Sequence, residues 1–247
     1  KHIEEQPKSL TREQNKKLMR QQEKSLCRIT KETKNGEREY GCGFLCKIPT
    51  PVLITNNHVL NENELVPGDK INISFNDSEV QKIIKIDSNR TIYTAKEINK
   101  KEIDTTIIEI YPKEDKLLDQ EFLEVDEYMF KNDQDDDEKE KLKEHYLQDI
   151  YLIHYNNEGK MASSIGSIKK IMSKDDSFDL CHNCDTNPGA SGSPIILYDG
   201  KVIGVHRAGD IYENLNIGTL LKYPINEFNK ININKNEIIL KMEIDED

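Results

Sequence analysis

The sequence predicts an all-β chain folded into two packed antiparallel β-barrels. Short runs rich in β-branched residues alternate with turns of Asn, Asp, Gly and Pro, a pattern typical of antiparallel barrels. A dense acidic run, 133–138, divides these runs into two sets. The length of 247 residues suits one unit of two such barrels.

The elements follow one another in a simple order. Thr11, with Gln14 three residues later, predicts a capped helix from Arg12 to Lys24 in the charged segment 1–25. The first barrel, 26–123, is predicted to hold strands at 25–33, 39–47, 52–55, 71–75, 80–87, 91–95 and 105–111. An acidic insertion, 124–147, precedes the second barrel, 148–247, with strands at 149–155, 163–171, 178–182, 194–197, 202–206 and 217–222. A short helix over 224–229 and an amphipathic strand over 236–244 are predicted to end the chain.

Charge and hydropathy exclude several classes of partner. The net charge of −11 would repel a phosphate backbone, so we expect no nucleic-acid partner. No apolar stretch approaches the length that spans a bilayer, so we expect no membrane partner. The sequence begins at Lys1 without a signal peptide, so an upstream regulatory domain is one expected partner.

The run Asn187–Pro194 places a serine, Ser191, in a tight turn flanked by glycines. A serine hydroxyl attacks a carbonyl only when a base takes its proton, and the resulting oxyanion needs hydrogen-bond donors. The glycines let the backbone curl so that the N–H groups of Gly189 and Ser191 point into one hole. This turn is therefore a candidate nucleophile site.

Two upstream segments supply the partners that such a serine needs. His58 lies in a polar turn after the apolar run 52–55, and Asp104 opens the β-branched run 105–110. An aspartate can accept from one ring nitrogen of a histidine, so that the other nitrogen faces the serine. Each residue alone is as readily a turn or strand-edge residue, but together His58, Asp104 and Ser191 predict a catalytic triad.

These segments resemble those of the trypsin-like (chymotrypsin-fold) serine proteases, in the same order and over roughly residues 26–230. Gly189–Pro194 is similar to the family signature Gly-x-Ser-Gly-x-Pro, and Val202–His206 resembles the strand that lines the specificity pocket. The resemblance implies two chymotrypsin-like barrels and an endopeptidase that forms an acyl-enzyme on protein or peptide substrates. It implies no metal and no organic cofactor, and a substrate backbone paired with 205–209, including Gly209.

Two departures from the family pattern bear on regulation and compartment. Ala190 stands where zymogen-activated members carry an aspartate, so we do not expect activation by N-terminal cleavage. Cys42 fits one end of the disulfide found in secreted members, but Val59 occupies the other end. We therefore expect free thiols and a cytoplasmic, reducing compartment.

The cysteines also leave a metal-site alternative open. Cys42 and Cys46 form one close pair and Cys181 and Cys184 another, and these two pairs could together bind zinc in an interaction domain. The barrel layout is expected to separate the pairs, so free thiols are preferred.

The resemblance gives two interpretations of the specificity pocket. Asp185, six residues before Ser191, matches the carboxylate with which trypsin binds Arg or Lys. Thr186 and His206 match the residues with which glutamyl endopeptidases bind an acidic side chain. The negative net charge favours basic substrates, so cleavage after Arg or Lys is preferred. A protease fold that binds peptides without cutting them is the alternative from another class.

Overall fold

A computed structural model describes residues 9–32, 38–130, 147–156, 158–171, 179–210 and 214–245. These residues form two α-helices, α1 (Arg12–Lys24) and α2 (Lys222–Asp245), two short 3₁₀ helices (Glu62–Glu64 and Glu127–Phe130) and two β-sheets. The first sheet is formed by β1 (Leu26–Glu32), β2 (Arg38–Ile48), β3 (Thr50–Thr55), β4 (Lys70–Ser74), β5 (Gln81–Lys85), β6 (Ile92–Ile98), β7 (Lys101–Glu109) and β8 (Leu123–Glu124). The second is formed by β9 (Asp149–Tyr155), β10 (Met161–Ile171), β11 (Asp179–His182), β12 (Pro194–Leu197), β13 (Val202–Asp210) and β14 (Leu215–Leu220).

The predicted all-β architecture of two packed units is confirmed, with one difference in closure. The second sheet is a closed antiparallel barrel of six strands in the order β10-β11-β14-β13-β12-β9. The first is an open, half-barrel sheet in the order β5-β4-β1-β2-β3-β7-β6, in which the short β8 pairs in parallel with β2. Edge strands β5 and β6 remain unpaired to each other.

A continuous apolar core joins the two sheets. Phe44 and Ile54 in the first sheet pack in one cluster with Leu152 and Val205 of the second barrel, and all four are fully buried. A second cluster fills the inside of the first sheet, around Leu53. Burial of this kind is the main favourable term in folding, and here it also holds the two halves against each other.

Helix α1 begins and ends as the sequence predicts. Thr11 accepts from the backbone N–H of Gln14, whose side chain accepts in return from the Thr11 N–H. Gln21 is buried against the second barrel, where it accepts from the hydroxyl of Tyr151 over 2.6 Å and donates to the carbonyl oxygen of Gly200 over 2.9 Å. Helix α1 is thus attached to the second barrel.

The predicted C-terminal strand over 236–244 is wrong, because α2 continues through it. The early anchors of this helix, Ile225 and Phe228, are fully buried at a spacing of three residues, which suits a helix. Alternating apolar residues further along imitate the period of a strand. Asn232 accepts from the hydroxyl of Thr91 over 3.1 Å, so α2 returns to the first sheet. Most of the acidic insertion, including 133–138, lies outside the described residues.

Candidate active site

The carboxylate of Asp104 holds His58 by two hydrogen bonds. Its Oδ2 lies 2.6 Å from Nδ1 of the imidazole, and its Oδ1 accepts from the backbone N–H of His58 over 2.8 Å. His58 follows β3 in a turn, as predicted, and its side chain is half exposed. Asp104 lies within β7 rather than before it, and it is 3 % exposed. One buried carboxylate therefore fixes both the position and the ring orientation of His58.

The backbone at Asp104 has an unusual conformation. Its φ is +44°, in the left-handed region that L-residues rarely adopt. The amide of Asn56 donates to the Asp104 carbonyl oxygen over 2.9 Å, which binds this peptide to the turn that carries His58. Such local strain persists only when the surroundings hold it in place.

The second barrel also contacts the segment before Asp104. The guanidinium of Arg207 donates to the carbonyl oxygen of Glu102 over 2.9 Å and to the carboxylate of Asp179 over 3.1 Å. The hydroxyl of Thr219 donates to the carbonyl oxygen of Ile103 over 2.9 Å. Sequence reasoning missed Arg207 and Thr219, which have no motif to mark them.

The turn that carries Ser191 is clamped between the two sheets. The N–H of Cys42 in β2 donates to the Ser191 carbonyl oxygen over 2.8 Å, and the N–H of Gly192 donates to the carbonyl oxygen of His206 in β13 over 3.0 Å. Gly192 has a φ of +88°, and a Cβ placed on it would stand 2.0 Å from the Cys42 carbonyl oxygen. Only glycine fits this approach without displacing the strand.

Backbone donors at this turn are free. Within the described residues, neither the N–H of Gly189 nor that of Ser191 has an acceptor, and Gly189 has a φ of +101°. The hydroxyl of Ser191 lies 3.4 Å from the carbonyl oxygen of Arg207, and in the described part of the chain it has no hydrogen bond to His58. His58 is close enough to His206, beside this turn, to contribute to lowering its pKa.

The predicted pocket residues lie together around β14. The hydroxyl of Thr186 donates to Oδ1 of Asn216 over 3.1 Å, and Asn216 pairs with Gly209 of β13. Asp185 is exposed beside Thr186 and makes no hydrogen bond or ion pair within the described residues. Burial lowers the pKa of His154, and the negative charge of Asp185 opposes this shift. Asn216 is a further residue beside these side chains, and no sequence pattern marks it.

A buried pair of histidines forms the inner wall of this region. Nε2 of His182 lies 3.3 Å from Nδ1 of His206, and their rings meet edge to face. Burial lowers the pKa of His182 to about 4. Burial is also the largest cause that lowers the pKa of His206 to about 3, with smaller contributions from nearby groups that are or can become positively charged. Both imidazoles are therefore neutral, and one of the two facing nitrogens donates. In the sequence His182 lies between Cys181 and Cys184, among the residues of the zinc alternative, and nothing there predicts its pairing with His206.

The cysteines are buried and do not form a metal-binding cluster in the described part of the chain. Within the described residues none of the five forms a disulfide: Cys27, Cys42, Cys46, Cys181 and Cys184. Within the described ranges, no three residues of His, Cys, Asp or Glu are grouped so that they could hold a metal ion. In the same part of the chain, no helix is both long and apolar enough to cross a bilayer.

A half-barrel and a barrel, with a His–Asp pair and a glycine-flanked serine at their junction, define the class of chymotrypsin-like peptidases. Residues 41–205 match the model of the trypsin-like peptidase domain, and the chain belongs to this family. No curated protein sequence matches the chain.

Solved structures show the same fold at low sequence identity. The inactive form of the protease Rv3671c from Mycobacterium tuberculosis is similar with a TM-score of 0.58 and 15 % identity, over 92 % of this chain and 98 % of that one. The active form of that protease gives 0.55 and 16 %, over 86 % and 83 %. A serine endoprotease from Yersinia pestis gives 0.59 and 13 %, over 92 % of this chain and 68 % of that one.

Proposed function

We propose that this chain is a serine endopeptidase that hydrolyses peptide bonds through an acyl-enzyme. The observation that carries the proposal is the pairing of Asp104 with His58, at 2.6 Å, at the junction where Ser191 also lies. The family supports a serine peptidase hydrolase acting on peptides or proteins. The roles of the three residues are our own assignment.

In the proposed mechanism, the Ser191 hydroxyl leaves the Arg207 carbonyl oxygen and turns toward His58. Nε2 of His58 takes the hydroxyl proton as Oγ attacks the scissile carbonyl carbon, and Asp104 stabilises the imidazolium that forms. His58 then gives this proton to the departing amine, and the acyl-enzyme remains. A water molecule then attacks the ester of the acyl-enzyme while His58 takes its proton, and His58 returns this proton to Ser191 as the carboxylic acid product leaves.

The oxyanion is proposed to be bound by the N–H groups of Gly189 and Ser191. Both donors are without an acceptor in the described part of the chain, and fixed backbone donors are worth about 3 kcal/mol each to such transition states. The positive φ of Gly189 is compatible with this arrangement. No metal or organic cofactor enters any step.

Peptide binding without hydrolysis is a second candidate, and one observation favours it. The Ser191 hydroxyl faces Arg207 rather than His58, which would leave the serine unreactive if that arrangement were fixed. Labelling with a fluorophosphonate separates the two functions. We expect a label on the wild type and none on Ser191→Ala, with Ser193→Ala as the matched control that keeps the label. A folded wild type that takes no label would support the binding module.

For the residue before the scissile bond, we propose Arg or Lys. The carboxylate of Asp185 is exposed and makes no hydrogen bond or ion pair within the described residues, so it is available to bind a cation. The alternative, cleavage after Glu or Asp, is favoured by Nε2 of His206, which is likewise without a partner in the described ranges and is carried by a nearly buried ring. A neutral imidazole can donate there, but it brings no positive charge to a carboxylate.

A peptide-library cleavage profile decides between these specificities. Preference for Arg and Lys that is lost in Asp185→Asn, but kept in His206→Gln, supports the basic pocket. Preference for Glu that is lost in His206→Gln and kept in Asp185→Asn supports the acidic one. Thr186→Val is the control for both outcomes. The Thr186 hydroxyl already donates to Asn216, so its removal should perturb the pocket wall without changing which residue is preferred.

We further propose that the protein works in a reducing compartment such as the cytoplasm. All five cysteines are buried thiols, and burial raises the pKa of Cys42 to about 11 and that of Cys184 to about 12. Titration under denaturing conditions, without reductant, should find five thiols in protein from the native host. Fewer thiols would indicate an oxidising compartment.

A further inference from the structure

Arg28 lies beside the nucleophile turn on the side of the first sheet. In the β1–β2 pair Arg28 stands opposite Cys42, so their side chains share one face. The thiol of Cys42 donates to the carbonyl oxygen of Gly189 over 3.0 Å, and its backbone N–H donates to that of Ser191 over 2.8 Å. Arg28 is therefore a direct neighbour of Cys42, the residue that binds the backbone of Ser191.

Two aromatic rings hold the guanidinium of Arg28. Its Cζ lies 5.2 Å from the ring centre of Tyr40 and 5.9 Å from that of Tyr155. Tyr40 is 52 % exposed, whereas Tyr155 is only 3 % exposed. One guanidinium nitrogen comes so near to Gly159 that a Cβ there would stand 2.9 Å from it. The cation is thus stacked and confined, with one open side at Tyr40.

Arg28 has no anionic partner. In the described part of the chain, its guanidinium makes no hydrogen bond or ion pair, and its Nε is buried without an acceptor. The hydroxyl of Tyr155 is also buried without a partner, and burial raises its pKa, so it stays protonated. The nearby carboxylate of Asp77 instead accepts from the N–H of Met161 over 2.9 Å. Buried donors are normally paired, so two free donors here indicate a place for an acceptor.

The position of this cluster decides which part of a substrate it meets. The turn of Ser191 is bound on one side to β13, through Gly192 and His206, where the acyl half of a substrate would pair. On its other side the turn is bound to β2, through Cys42. The half of the substrate that leaves as the amine therefore passes over the side formed by β1, β2 and β9, which carry Arg28, Tyr40 and Tyr155 respectively.

We propose that Arg28, Tyr40 and Tyr155 form a subsite that binds an acidic side chain on the amine side of the scissile bond. The proposal rests on the proposed endopeptidase function. A carboxylate there receives charge-assisted hydrogen bonds from the guanidinium, and the buried ring of Tyr155 shields one side of the pair from water.

The test compares quenched fluorescent peptides that differ only in one of the first three residues after the scissile bond, Glu or its uncharged isostere Gln. For the wild type, kcat/KM for the best Glu peptide should exceed that for its Gln counterpart by about tenfold, the value of one charge-assisted hydrogen bond. The ratio should fall to about one in Arg28→Met, remain above one in Arg28→Lys, and decrease with added salt. Lys47→Met, which removes an exposed cation at the far end of β2, should keep the wild-type ratio.

A wild-type ratio near one at all three positions, or an unchanged ratio in Arg28→Met, would overturn the subsite. If no peptide is cleaved, the endopeptidase function fails, and the subsite is tested by binding to Ser191→Ala instead. Fluorescence anisotropy should then show tighter binding of the Glu peptide than of the Gln peptide, with the difference lost on adding Arg28→Met. Equal affinities of the Glu and Gln peptides would reject the subsite independently of the endopeptidase function.

Discussion

The guanidinium of Arg207, in the second barrel, donates over 2.9 Å to the carbonyl oxygen of Glu102, two residues before Asp104 in the first sheet. Thr219 adds a second contact of the same kind, 2.9 Å long, to Ile103. In the first half, the Asn56 amide donates to the carbonyl oxygen of Asp104 itself. The backbone on both sides of the left-handed Asp104 is therefore held, by the second barrel before it and by the first half after it. Positioning of the His–Asp pair thus depends on the packing of the two halves, although both residues belong to the first.

Replacing Arg207 should slow catalysis more than it weakens substrate binding. In Arg207→Met the Glu102 carbonyl oxygen and the carboxylate of Asp179 both lose their donor. Because the bond to Glu102 is the one next to Asp104, we expect kcat to fall about tenfold, the value of one charge-assisted hydrogen bond, with a smaller change in KM. Arg207→Lys should recover part of kcat, because the ammonium can still donate. Steady-state kinetics on one peptide substrate measures both constants. A rise in KM with an unchanged kcat would show that Arg207 acts on substrate binding instead.

Replacing Asp104 by Asn should remove most activity while it keeps the turn. The Asn oxygen can still accept from the backbone N–H of His58, as Oδ1 does over 2.8 Å. Its amide would face Nδ1 as a donor and favour the wrong tautomer, so kcat should fall by about 10⁴-fold. Thermal unfolding should shift little compared with Asp104→Ala, which loses both contacts. An Asn variant with near wild-type kcat would remove Asp104 from the mechanism.

Local sequence patterns were sufficient to predict most of the fold and the candidate triad. The capping pair Thr11 and Gln14 marks α1, and the glycines around Ser191 mark a turn that only they can form. Long-range side-chain contacts could not be predicted in the same way. Arg207 and Glu102 are joined only after two sheets pack, and Arg28 has no neighbouring motif. The final helix was predicted only over 224–229, because the apolar alternation beyond this range imitates a strand, whereas Ile225 and Phe228 decide its packing.

The buried histidine pair should make the protein sensitive to acid. Burial keeps His182 and His206 neutral, with pKa values of about 4 and about 3 against 6.5 for a free histidine. The unfolded chain therefore takes up these protons first, so their contribution to stability is full above pH 6.5 and is lost as the pH falls toward the folded values. The free energy of unfolding should drop by about 2 kcal/mol per histidine between pH 7 and pH 5.

Urea titrations of the wild type and of the double variant His182→Gln/His206→Gln isolate this effect. Carboxylates titrate in both proteins, so only the difference between the two curves reports on the histidines. The variant should lose less stability than the wild type over this interval. Parallel curves would mean that the imidazoles are protonated in the folded state.

Gly192 should tolerate no side chain, because two separate constraints apply to it. Its φ of +88° costs an L-residue about 1–2 kcal/mol, and a Cβ would also stand 2.0 Å from the Cys42 carbonyl oxygen. Gly68 is a matched control, since its φ is +105° but no atom lies within 4 Å of its added Cβ. In urea unfolding, Gly68→Ala should lose about 1 kcal/mol and Gly192→Ala more than about 3 kcal/mol.

The same pair of variants separates backbone strain from loss of the site. Gly68→Ala should retain full fluorophosphonate labelling, because its turn lies away from Ser191. Gly192→Ala should lose labelling even where it remains folded, since displacing β2 also removes the hydrogen bond from the Cys42 N–H to the Ser191 carbonyl oxygen. Equal stability losses in the two variants would contradict the close approach of β2, and the clamp on the serine turn would then have to lie elsewhere.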